Sequence, residues 1–157
     1  MIYVSSDHHF NHGNIIRYTN RPFNNLTYMN AELIRRWNEV VKPEDTVIHL
    51  GDFCFNKKEQ NHDYWESQLN GKIIFVQGNH DNHVNAPIQS LIFKYGGVDW
   101  WCSHYPERRY KHNLCGHVHD KWKIQRTEHD VVVNVGVDVW DYAPVSMDRI
   151  LLEREQS

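Results

Sequence analysis

The sequence holds no run of about 18 consecutive apolar residues, the length a helix needs to cross a bilayer, so no membrane partner is expected. Cysteine is scarce. Cys54, Cys102 and Cys115 are odd in number and never spaced as CxxC, which argues against a disulfide framework and predicts a reducing, cytoplasmic setting. There is no basic excess either: 17 Lys and Arg against 20 Asp and Glu give a net charge of −3, so no overall field recruits nucleic acid and only local patches could. The opening MIYVSSD carries no lysine or arginine, as the start of a secretory signal would. Repeats, low-complexity segments and linkers are also missing. At 157 residues the chain is expected to form one domain, 1–157, large enough for its own core. No serine or cysteine sits in a recognisable nucleophile motif, so a covalent mechanism is not expected.

What is present in unusual quantity is histidine, 12 residues. Number alone decides nothing, because surface histidines are ordinary. Placement is more informative: His9, His49, His80, His104, His117 and His119 lie at or just after apolar runs, where a sheet edge presents side chains to a common site. The runs Ile2–Ser6, Thr46–Asp52 and Lys72–Asn79 read as strands, and Thr27–Val41 and Lys57–Leu69 as helices between them. Thr27 is the expected N-cap of the first helix, and Pro43 its stop. This β-α-β-α-β order predicts a parallel sheet. Beyond Pro87 the pattern shifts to closely spaced strands, Val98–Ser103, Asn113–Gly116 and Val131–Val135, then a short helix, Met147–Glu153, capped by Ser146.

Three N-terminal strands end in residues that ligate divalent metals: Asp7-x-His9, Gly51-Asp52 and Gly78-Asn79-His80-Asp81. The second half adds His104 after VDWWCS, and Gly116-His117-Val118-His119. Gly-Asp and Gly-Asn also punctuate ordinary turns, and a lone His-x-His is weak. Together the five segments supply two carboxylates, an amide oxygen and four imidazoles at strand ends, where open α/β sheets bind ligands. The mixed O/N set suits Mn, Fe, Zn or similar ions, has too few oxygens for calcium and lacks the thiolates of structural zinc. Seven donors suffice for two ions if one carboxylate is shared, the arrangement used for displacement at phosphorus. Strand alternation puts Asp7 and His9 on one face and His8 on the other. His12 lies past that strand, as a substrate contact or a support for the ligands. His49 is expected buried, and His83 at the rim.

The ordered motifs resemble those of the calcineurin-like metallophosphoesterases: DxH at Asp7/His9, GD at Gly51-Asp52, GNHD at 78–81, a lone His104, and GHxH at 116–119. SSDHHFNHGNIIRYTNRPF and NVGVDVWDYAPVS look like the small, cap-less bacterial and phage subgroup, so the likeness spans nearly the whole chain. It implies an α/β sandwich of mixed β-sheets flanked by helices and two divalent metal ions, manganese first, with Fe, Zn, Ni or Co as alternatives. It further implies that Asp7, His9 and His119 hold one ion, that Asn79, His104 and His117 complete the other, and that Asp52 bridges. His80 would be the general acid and Asp81 would orient it.

One stretch departs from the pattern. Members often read GDxxD[R], whereas this chain reads GDFCFN from Gly51 to Asn56, so the downstream acid and base are absent. The expected activity is hydrolysis of phosphate esters. Phosphodiesters such as cyclic nucleotides or nucleic-acid ends stand slightly ahead of monoesters, with a nuclease or a non-catalytic metal-binding interaction module as the alternatives. Arg21, Arg108, Arg109 and His12 are candidate substrate contacts.

Overall fold

The computed structural model describes residues 1–82 and 87–156. Its first half contains β1 (Ile2–Ser5), α1 (Ile15–Tyr18), α2 (Leu26–Val40), β2 (Thr46–His49), α3 (His62–Glu66) and β3 (Lys72–Phe75). The second contains β4 (Ser90–Tyr95), β5 (Val98–Ser103), β6 (His112–Cys115), β7 (Ile124–Arg126), β8 (Val131–Asn134), β9 (Val145–Ser146) and α4 (Met147–Gln156). Two mixed sheets result, flanked by helices. One has the order β3-β2-β1-β9 and the other β4-β5-β6-β8-β7. In each, the central strands run parallel and antiparallel strands stand at an edge: β9 in the first, β4 and β7 in the second.

Side-chain alternation explains the layering. Along β2, Ile48 faces a core shared with the second sheet, alongside Val4, Trp100, Leu114, Val133 and Ile150. Val47 faces the opposite way, into a core with Met29, Leu33, Trp37 and Trp65 beneath α2 and α3. A strand covered on both faces reads as a continuous apolar run, which is why β2 was plain in the sequence. Met29, Leu33 and Trp37, four apart, form the fully buried stripe of α2.

Boundaries moved in instructive ways. The N-cap of α2 is Asn25, whose side-chain oxygen accepts from the Tyr28 N–H at 2.9 Å, rather than Thr27. The helix expected over Lys57–Leu69 is formed only over His62–Glu66, because Asn61 caps it by accepting from Tyr64 N. Strand β4 was not foreseen. Its sequence SLIFKY leaves Ile92 exposed on an edge strand paired only with β5, so its alternation is blurred.

Candidate metal centre

The parallel strands of both sheets deliver their C-terminal ends to one seam. Asp7 and His9 follow β1, Asp52 follows β2, Asn79 follows β3, His104 follows β5, and His117 and His119 follow β6. Five of these seven residues adopt left-handed backbone conformations: Asp7 (φ 58°), His9 (φ 52°), Asp52 (φ 53°), His117 (φ 68°) and His119 (φ 50°). Such residues cost roughly 1–3 kcal/mol each and persist only where the surroundings over-determine them. Asp7 and His9 share a face as expected, but through left-handed turns rather than strand alternation, since neither residue is extended. His8 does point away. It is fully buried, 2.9 Å from the equally buried His49, among Phe10, Trp37 and Phe53.

All seven side chains form a connected group. His9 Nε2 lies 3.7 Å from Asp7 Oδ1 and 3.6 Å from Asp52 Oδ2. His104 Nε2 lies 2.8 Å from Asn79 Oδ1, 3.4 Å from Asp52 Oδ2 and 3.3 Å from His117 Nδ1. His119 Nε2 stands 4.0 Å from Asp7 Oδ1. Two sets of donor atoms close enough to share an ion emerge, Asp7/His9/His119 and Asp7/Asp52/His104. His117 stands in neither set but joins through His104, and its backbone N–H donates to Asp7 Oδ2 at 2.8 Å.

Electrostatics agree with cation binding. His104 Nδ1 donates to the Leu50 carbonyl at 2.8 Å, so in the neutral ring Nε2 is the acceptor and faces the Asn79 and Asp52 oxygens. Asp7 Oδ1 and His9 Nε2 are buried without a hydrogen-bond partner. Buried polar atoms left without a partner are costly in a protein interior, and a cation would satisfy these two, so the residues fit a divalent metal. Burial raises the Asp7 carboxyl, but the neighbouring His9, His104 and His119 outweigh it and hold it below the carboxylate range. Burial and His104 push His117 down. Burial also lowers His119, yet its contact with Asp138 and the charge of Asp7 raise it overall.

Above the donors lie His12 and His80. The His80 ring is exposed, 5.7 Å from that of His9 and 6.2 Å from that of His12, and its backbone N–H donates to Asp52 Oδ1 at 2.9 Å. His12 Nδ1 lies 3.2 Å from His9 Nδ1, and burial with the nearby His9 and His80 lowers His12 to about 4.

Several expectations need correction. Asp81 has backbone partners: its carboxylate accepts from the N–H groups of Asp52 (2.7 Å), Gly78 (2.7 Å) and Phe53 (3.3 Å), tying two ligand loops together. Arg21 is not a substrate contact. It is buried, with Nε and NH2 on Asp138 at 3.0 and 3.1 Å, NH1 on the His8 carbonyl at 2.8 Å, and NH2 on the Asp7 carbonyl at 2.7 Å. Arg108 pairs with Asp130 and Arg109 with Glu107, at the end of the second sheet where β6 and β8 begin. The ligands follow the ends of those strands, so neither arginine reaches them. His83 lies outside the described residues. The residue missed altogether was Asp138, 3.4 Å from His119 Nδ1. Its only sequence signal was a carboxylate inside the apolar alternation VGVDVW.

An α/β sandwich with an O/N donor set at the seam of its two sheets defines a class of protein fitted to hold divalent metal. This chain belongs to the calcineurin-like phosphoesterase superfamily, whose domain it matches over residues 1–147. It is 38% identical over 161 residues to an uncharacterised protein of Methanocaldococcus jannaschii, covering 96% of this chain and 89% of that one. Among solved structures, a protein of unknown function from Aquifex aeolicus is 28% identical with a TM-score of 0.73, covering 96% and 97% of the two chains. An archaeal phosphodiesterase shares the fold at 19% identity and a TM-score of 0.50, covering 86% and 82%.

Proposed function

We propose that this protein is a metal-dependent phosphoesterase, acting on phosphate esters with phosphodiesters ahead of monoesters. The observation that carries the reading is the convergence of unpartnered buried polar atoms, Asp7 Oδ1 and His9 Nε2, beneath an exposed imidazole, His80. Asp7, His9 and His119 would hold one ion and Asn79, His104 and His117 a second, with Asp52 between them; manganese is the first choice. Divalent ions supply Lewis-acid charge, which acidifies water to react at neutral pH and offsets charge growing on the phosphoryl oxygens.

The protein's own part is positioning and proton transfer. The Leu50 carbonyl fixes the His104 proton on Nδ1, and Asp138 fixes that of His119 on Nδ1, so both Nε2 atoms stay open toward the carboxylates. His80 would give a ring proton to the departing ester oxygen. Asp81 keeps the loop bearing His80 against the loop bearing Asp52 through its backbone hydrogen bonds. Support for ester hydrolysis comes from the superfamily and from a structural neighbour described as a phosphodiesterase.

One panel tests the reading: metal content, then turnover with manganese of an aryl monoester, an aryl diester and 2′,3′-cyclic nucleotides, for wild type, Asp52→Ala and His80→Ala. Asp52→Ala should lose metal and turnover. His80→Ala should keep metal and lose about 10²–10⁴-fold in rate, most for poor leaving groups. Unchanged turnover in Asp52→Ala would sink the two-ion site. Metal bound without turnover of any ester would make the protein a non-catalytic metal-binding module.

A further inference from the structure

Among the described residues, two cavities open above the donors. The first, about 400 Å³, lies between His9, His12 and His80 and the stretch Cys54–Asn56. The second, about 410 Å³, shares the same three histidines and is otherwise lined by different residues, Tyr18 and Lys121 among them. Each lobe carries an aromatic ring that folding did not bury. Phe55 is 53% exposed and Tyr18 71% exposed, although Phe53 and Ile15 beside them lie in the core.

The backbone beneath each ring is held by a hydrogen bond, and the Phe55 ring is also stacked. Phe55 N donates to the Phe10 carbonyl at 2.7 Å, and the Phe55 ring stacks 5.9 Å from that of His12 at an interplanar angle of 21°. Tyr18 closes α1, with its N–H on the Asn14 carbonyl at 3.1 Å. A cation accompanies each: Lys57 Nζ lies 5.9 Å from the Phe55 ring, and Lys121 lines the lobe of Tyr18, beside Asp120. Phe55 and Asn56 occupy the two positions where GDxxD[R] would set an acid and a base, so the departure from the motif replaces charge with a flat apolar face.

A phosphate monoester has one organic group and would leave one lobe filled only with water. An internucleotide phosphate has a nucleoside on each side. Aromatic faces that accept any base, with lysines to meet the neighbouring phosphates, are the equipment of single-strand recognition. Duplex bases are already stacked and could not reach two rings set in separate lobes.

We propose that the site binds single-stranded nucleic acid across its scissile phosphate, with one flanking base on Phe55 and the other on Tyr18. This rests on the phosphoesterase reading above. In the reaction, water adds across one ester bond: a new P–O bond forms to the water oxygen and the P–O bond to the leaving nucleoside breaks. One water proton is released, and the leaving oxygen takes a proton from His80, giving a phosphomonoester end and a hydroxyl end.

The test uses the full chain with manganese, as wild type, Phe55→Ala, Tyr18→Ala, the double variant and Phe55→Trp. Binding of a fluorescent oligothymidylate with phosphorothioate linkages is measured, together with the ratio of kcat/KM for a dinucleotide to that for a bis-aryl diester. Each alanine variant should weaken oligonucleotide binding about tenfold and lower the ratio by a similar factor, while Phe55→Trp should bind like wild type. Equal dissociation constants for wild type and the double variant would overturn the proposal. Bis-aryl turnover with no effect of either ring on binding or ratio would overturn it too, and leave the phosphoesterase standing. Ring-dependent binding with no cleavage of any ester would support the two-lobed base site and fail the phosphoesterase reading instead.

Discussion

At the scale of single residues, the most consequential contact lies outside the ring of donors. His119 offers Nε2 to the centre only while its proton resides on Nδ1, and Asp138 keeps it there. Asp138 is in turn held by two nitrogens of Arg21, whose remaining donors clamp the carbonyls of Asp7 and His8. A residue that looked available for substrate thus fixes the first motif to the last imidazole. Asp138→Asn keeps the shape and an oxygen for Arg21 but can present an N–H to His119, moving the imidazole proton to Nε2, where it faces Asp7. Calorimetric titration with manganese should show affinity about 10–100-fold weaker, the usual loss when a carboxylate behind a ligating imidazole is altered. Equal affinities would show that Asp138 braces Arg21 alone.

At the scale of elements, the centre is a meeting of loops packed too closely for side chains. A Cβ on Gly116 would strike Ser6 Oγ and Asp7 Oδ2, and one on Gly78 would strike the backbone and carboxylate of Asp52. Gly116→Ala must displace Asp7, a member of both donor sets. The variant should lose manganese binding, read by metal content after dialysis, while far-UV circular dichroism stays that of the wild type. Metal retained at wild-type level would show that the loop yields without moving Asp7. This crowding explains what the sequence made legible. DxH, GD, GNHD and GHxH stand out because a strand end and a donor coincide there, and six of the seven candidate donors lie in them; His104 stands alone after its strand. Other features left no such mark. The left-handed turns at Asp7, His9 and His119 carry no glycine to announce them. Arg21 and Asp138, which pair with each other, are 117 positions apart in the chain. The basic look of RRYKH misled because its loop runs back to the start of β6, away from the donors.

At the scale of the whole molecule, the donors come from both sheets. Asp7, His9, Asp52 and Asn79 follow strands of the first, and His104, His117 and His119 follow strands of the second. The sheets already share the core around Val4, Trp100, Leu114 and Val133, and they touch at the seam through His104 Nδ1 on Leu50 O and the His117 N–H on Asp7. Metal bound at the seam therefore favours the fully assembled pair of sheets, and its affinity adds to the stability of the entire fold rather than of one loop. By mass action, an ion at about 100 times its dissociation constant adds about 2.7 kcal/mol. For a chain of this size that raises the thermal midpoint by roughly 5–10 °C. Calorimetric scans with manganese, and again after chelation, should differ by that amount, and the difference should vanish in Asp52→Ala. If metal instead tightened only one local loop, the main transition would stay put while hydrogen exchange slowed around His9 alone. That outcome would deny the centre its role in joining the two halves of the sandwich.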